Sequence, residues 1–167
     1  MPVASLCIAL VAIAPPLIAF SRAKSVPPIH DISTDTVDPP GFVTLLEVRN
    51  QSPNGSAYGG AAIAEQQRKA YADVKPLDVT SPPGETVQRA IDAARAMKWE
   101  VMGSDAAAGR IEATDTTAWF GFKDDIVIRV RPNGGGSRID VRSVSRVGRS
   151  DVGANAARIR DYLAKLT

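Results

Sequence analysis

The sequence predicts an α+β domain: an antiparallel sheet of about four or five strands with two or three helices on one face, preceded by an N-terminal apolar membrane segment. Three observations carry this. Apolar residues alternate on both sides of Asn133-Gly134-Gly135-Gly136, a run that allows the positive backbone dihedrals of a tight hairpin. Two stretches, Pro83 to Lys98 and Asp151 to Leu166, repeat apolar residues at helical spacing. From Pro2 to Ser21 there is no charged side chain, about the length that crosses a bilayer core as a helix.

Composition allows one core of about 100 residues once the apolar start and the loop-rich stretch behind it are set aside. The net charge of +2 calls for no nucleic-acid partner. Its distribution is uneven: from Gly109 onward there are eleven Lys/Arg against seven Asp/Glu, whereas residues 1–108 hold nine against eleven. Cys7 is the only cysteine and lies within the apolar run, so the chain builds no internal disulfide and no cysteine-based metal site. No cofactor is expected.

Residues 1–24 read as a membrane anchor or signal-like segment. No Lys or Arg precedes the apolar run, and Pro15-Pro16 fits neither a cleavage point nor a straight span, which favours a retained segment. Arg22 and Lys24 follow it. Cations after the span favour a cytoplasmic C-terminus under the positive-inside tendency, whereas the export-like start favours the periplasmic side, which is the side expected for the aqueous part. Residues 25–60, rich in Pro, Gly, Ser, Asn and Asp, read as an extended connector, and 61–167 as the α+β domain.

Within that domain, Ile63 to Val74 predicts a short helix with Ile63, Ala70, Tyr71 and Val74 on one face, interrupted by Gln67. Pro76 to Thr80 is a β candidate. Ser81-Pro82-Pro83 signals a helix start, with the Ser81 hydroxyl as cap and proline in the first turn, and Val87, Ala90, Ile91, Ala94 and Met97 lie on the buried face of the helix that follows. Strands are expected at Trp99 to Met102, Arg110 to Thr117, Asp125 to Arg131 and Ser137 to Arg146. Alternation turns Ile126, Ile128 and Val130, and Ile139, Val141, Ser143 and Ser145, toward the core. It leaves Arg129, Arg131, Arg138, Asp140, Arg142 and Arg146 on a face read as wet and basic. The last helix would bury Val152, Ala156, Ile159, Leu163 and Leu166.

Few residues spell out chemistry. His30 with Asp31, Asp35 and Asp38 puts one imidazole and three carboxylates within nine residues, a donor set for a hard or borderline metal, with His30, Asp31 and Asp35 as its ligands. Asp and Thr between prolines more often make local turns. A hydrolase would need His30 brought by folding to Ser143 or Ser145. Asp124 and Asp125 are adjacent on a strand and so face opposite sides, which argues against a working carboxylate pair. Trp99, Trp119, Phe120 and Phe122 suit a core or a membrane interface better than a stacking platform. The loop from the last strand into the last helix offers backbone amides and a helix dipole, surrounded by cations. The candidate ligand-binding set is therefore Arg146, Gly148, Arg149, Ser150, Asp151, Asn155 and Arg158, which would hold a phosphate or carboxylate. The opposing expectation is a plain connector in which Ser150 or Asp151 caps the helix.

At HDISTDTVDPP and at SRVGRSDVGANAARIR the chain resembles an uncharacterised bacterial family, number 1499 in the series of domains of unknown function. The resemblance spans about residues 29 to 166 and rests on His30, Asp31, Thr34 and Asp35, on Phe122 to Asp125, and on Ser145, Arg146, Gly148, Ser150, Asp151, Gly153 and Asn155. It implies no activity. It does imply a setting, since some relatives carry this domain after several membrane spans. The function expected is a membrane-tethered, non-enzymatic domain binding an anionic small molecule, a lipid headgroup or a protein partner. The competing expectation is a hydrolase built on His30 and the acidic connector.

Overall fold

The computed structural model describes residues 26–117 and 120–167. Ten elements follow in order: β1 (Asp31–Ser33), α1 (Leu46–Gln51), α2 (Gly60–Ala70), β2 (Leu77–Val79), α3 (Pro83–Ala96), β3 (Glu100–Asp105), β4 (Arg110–Thr116), β5 (Lys123–Asn133), β6 (Gly136–Ser145) and α4 (Ala154–Leu163). The strands form one six-stranded sheet in the order β1-β6-β5-β4-β3, and β2 shares the outer edge of β6 with β1. Every ladder among the described residues is antiparallel. The described residues are thus α+β, with four helices and one more strand than the upper expectation.

The β5–β6 register pairs Ile126 with Ser143, Ile128 with Val141 and Val130 with Ile139, so these residues share the face that alternation assigned to them. They meet Val87, Ala90 and Ala94 of α3 and Ala156 and Ile159 of α4 in the main core. Trp99 joins that core, its ring stacked on Tyr162 at 5.0 Å between centroids. The Tyr162 hydroxyl donates to the Ala90 carbonyl at 2.8 Å, linking the two helices. Gly136 is needed for closeness as well as for turning, because a Cβ there would lie 2.0 Å from the Val79 carbonyl oxygen of β2.

Three expectations are corrected. Helices do not occupy one face only: residues 34–58, expected as part of an extended connector, supply α1 and pack Phe42 and Leu45 on Val127 of β5 and Val144 of β6 as a small second core on the opposite face. The Glu112 carboxylate anchors this layer by accepting from the amides of Val43, Thr44 and Leu45 at 2.8, 3.0 and 2.8 Å, the turn that leads into α1 and its N-cap. The second correction concerns Gln67, which does not interrupt a face but completes an edge. Its amide accepts from Ser33 N at 2.9 Å and donates to Ser33 O at 2.6 Å, standing in for a strand beside β1. Third, the α3 start carries no side-chain cap, since the Ser81 hydroxyl instead accepts from Arg89 at 3.0 Å.

No helix of the described residues is long and apolar enough to cross a membrane. The apolar run of residues 1–24 lies outside the described residues.

Candidate functional site

Asp124 and Asp125 mark the point where the two sheet faces diverge. Toward α4, Asp124 accepts from Arg158 Nη2 at 2.5 Å, and Arg158 Nε reaches Asp115 at 2.8 Å. Arg158 Nη1 also donates to Ser143 Oγ at 3.1 Å and to the Asn155 side-chain oxygen. Ser143 gives its own proton to Asn155 Oδ1 at 2.6 Å, while Asn155 Nδ2 donates to Ser145 Oγ and to the His30 carbonyl, each at 3.0 Å. All of these side chains except Asp115 are buried or nearly so. The network fastens α4 to β5 and β6 and satisfies its own members. A nucleophile needs a base beside it, and the two serine hydroxyls are held by an amide and a guanidinium, with His30 present through its backbone.

On the other face, Asp125 accepts from Arg146 at 2.9 and 2.8 Å and pairs with Arg49 at 3.4 Å. Arg49 is 0% exposed although it belongs to a short polar-looking helix. The bond to Asp125 raises the Arg146 pKa, against the opposing effect of burial. The expected ligand set is therefore divided: Arg146 lies on one side of the sheet, while Asn155 and Arg158 lie on the other. The cause is the two-residue period of β6, which sends Ser145 and Arg146 to opposite faces.

The turn between β6 and α4 binds an anion, but that anion is the protein's own. Asp151 accepts from the amides of Gly153 at 2.8 Å and Asn155 at 2.9 Å, and Ser150 Oγ accepts from Val152 N at 3.2 Å. Burial pushes the Asp151 carboxyl up from its ordinary value, and these amide bonds oppose that push. Gly148 and Gly153 both take positive φ, 93° and 83°, as the tight loop requires. Asp151 N donates to the Ile29 carbonyl at 3.1 Å, and a Cβ on Gly153 would lie 3.8 Å from Val26, so the start of the described chain runs beside this loop.

A half-open hollow of about 330 Å³ remains beside Gly148, lined by Thr117, Phe122, Asp124, Ser145 and Asp151 among others. Around its mouth stand exposed apolar side chains: Phe120 at 78% and Phe122 at 52%, their rings stacked at 5.7 Å, with Val147 and Val152 nearby in the chain's other loop. Lys123 and Arg149 are exposed here and enter no ion pair among the described residues. Trp119 lies outside the described residues. Composition could have flagged Phe120 and Phe122 as exposed only through their place between two polar strand ends.

The face read as wet and basic is neither bare nor uniformly wet. Arg129, Arg131 and Arg138 surround Asp140 at 3.1, 2.8 and 2.9 Å, and Arg138 reaches Asp35 at 2.9 Å. Arg142 is buried against Asp31. Those pairings also correct the metal reading of His30, Asp31 and Asp35: the carboxylates turn to different arginines, and no cluster of three metal-ligating side chains occurs among the described residues.

Comparison with curated proteins finds no match. Among solved structures, the crystal structure of Ara h 8.0201 is similar at 12% identity over 55% of this chain and 91% of that one, with a TM-score of 0.39, too loose a likeness to argue from. Residues 31–166 match the family described as Protein of unknown function (DUF1499), a span that takes in the arginine-bound Asp31 of β1, Asp35 just after it and the Ser145-to-Asn155 turn. With that match covering most of its length, the chain belongs to the DUF1499 family.

Proposed function

We propose that this protein is a membrane-tethered, non-enzymatic domain that meets an anionic ligand or partner at the end formed by residues 120–123 and 146–153. The observation that carries the reading is the contrast in how cations are used. Along the sheet, arginines are matched by carboxylates, whereas Lys123 and Arg149 stand exposed and outside ion pairs beside the hollow. Unmatched cations beside an opening favour association with negative charge. The charge-free run from Pro2 to Ser21 supports a tether. The soluble part belongs on the periplasmic side in this reading.

Fractionation tests the tether: the full chain stays with the membrane through high-salt washing and leaves it only with detergent. Recovery in the soluble fraction without detergent would sink it. A reporter fused after Thr167 decides the side, with a periplasm-active reporter expected to be functional.

A further inference from the structure

The tether has a consequence for orientation, because the chain enters the folded domain at a defined place. Four residues, Arg22 to Ser25, separate Ser21, the last of the charge-free run, from Val26, which makes five backbone steps. Even fully extended they span at most about 18 Å. Val26 lies against Gly153, and the neighbouring Val152 shares the lining of the hollow with Phe122 and Val147. The end of the domain bearing Phe120, Phe122, Val147 and Val152 is therefore the end nearest any membrane-held N-terminus.

We propose that this end rests on the bilayer surface, with Phe120, Phe122, Val147 and Val152 at the headgroup boundary and Lys123 and Arg149 on anionic headgroups. The inference rests on the tethered reading. Aromatic rings are favoured at the level of the headgroups, and each cation near an anionic surface adds to the attraction. Asp124 and Asp151, the carboxylates in the hollow, do not oppose this strongly, since one is bound to Arg158 and the other to backbone amides. The opposite end of the sheet differs in character: it is the Asn133–Gly136 hairpin, an eleven-residue strand or roughly 33 Å away.

The test uses the full chain with Cys7→Ser and one new cysteine, Val147→Cys or Gly135→Cys, carrying a polarity-sensitive fluorophore. The protein is reconstituted in phosphatidylglycerol/phosphatidylcholine vesicles containing brominated lipid. Flotation with the vesicles is expected for both, with quenching several-fold stronger at position 147 than at 135. Adding Phe120→Ser, Phe122→Ser, Lys123→Gln and Arg149→Gln should lower the quenching at 147 while flotation persists. A chain that floats with equal quenching at 147 and 135 overturns the proposal and leaves the tether standing. A chain that does not float overturns both. Equal quenching at 147 in purely zwitterionic vesicles overturns the assignment of anionic headgroups.

Discussion

Arg142 of β6 holds Asp31 of β1 through two hydrogen bonds, Nε to Oδ1 at 2.9 Å and Nη2 to Oδ2 at 2.8 Å, with both side chains almost fully buried. The guanidinium lies 5.4 Å from the Phe42 ring and 5.5 Å from the Tyr58 ring, and it also donates to the carbonyls of Pro40 and Ser56. One side chain thus joins the edge strand to the layer that covers the second face. Sequence alternation had placed Arg142 on a wet face, where substitution would be mild. The structure predicts the reverse. Arg142→Ala should cost about 3–5 kcal/mol by leaving Asp31 buried without its partner. Urea denaturation checks this, and an Asp31→Leu, Arg142→Met double variant should be less damaged than either single change.

Gln67 carries a second prediction. Its side chain closes the free edge of β1 by pairing with both backbone groups of Ser33. Gln67→Ala leaves a buried amide and carbonyl unpaired and should cost about 1–3 kcal/mol. Hydrogen exchange localises the effect: the Ser33 amide should lose protection far more than amides of β5. Uniform loss across the sheet would show that Gln67 acts through global packing instead.

How much of this was legible depended on what a pattern can report. Alternation reports which residues share a face, and it correctly set Ile126, Ile128 and Val130 on the same face as Ile139, Val141 and Ser143. It does not report what covers the other face. That cover, residues 34–58, has no period because α1 is six residues long and its buried member is Arg49. The separation of Asp124 from Asp125 followed from the same alternation, but their arginine partners come from distant elements and leave no local spacing to find. On the last helix the stripe was right at Ala156 and Ile159, yet it missed Tyr162, fully buried with its hydroxyl satisfied, and it included Val152, which is exposed before the helix begins. Loop residues Gly148, Arg149, Ser150 and Asp151 do sit together, but the N-cap position falls to Gly153 rather than to Ser150 or Asp151, with the Asp151 carboxylate accepting from the Gly153 and Asn155 amides from one turn earlier.

Acid should act through Asp35. Burial pushes its carboxyl upward, but the amides of Asp38 and Val37 and the guanidiniums of Arg138 and Arg129 outweigh that push and hold it below its ordinary 3.8. A carboxyl that releases its proton more readily when folded stabilises the fold above its unfolded pKa, and the contribution is lost as pH falls through the lower folded value. Asp35→Asn should therefore be less stable than the parent at neutral pH, with the difference shrinking below about pH 4. Thermal melts of the two proteins across pH 2.5 to 7 measure it. A gap independent of pH would assign the loss to packing or to the turn formed with Val37 and Asp38.

The last helix separates two substitutions that its apolar stripe treats as equal. Ile159 is 1% exposed and belongs to the main core, whereas Leu163 is only partly buried at its margin. An aspartate at position 159 would be an unpaired charge among apolar side chains, since the nearby cation, Arg158, already serves Asp115 and Asp124. At position 163 the carboxylate can turn toward water at the helix end, so the cost there is mainly lost apolar contact. Ile159→Asp should leave no folded protein, with circular dichroism and one-dimensional NMR showing a collapsed or aggregated chain. Leu163→Asp should fold with a lowered melting temperature, by about 1–3 kcal/mol of stability. If Leu163→Asp is the more damaging of the two, the packing of α4 on β6 is rotated from the arrangement that seats Ile159, Tyr162 and Asn155 together.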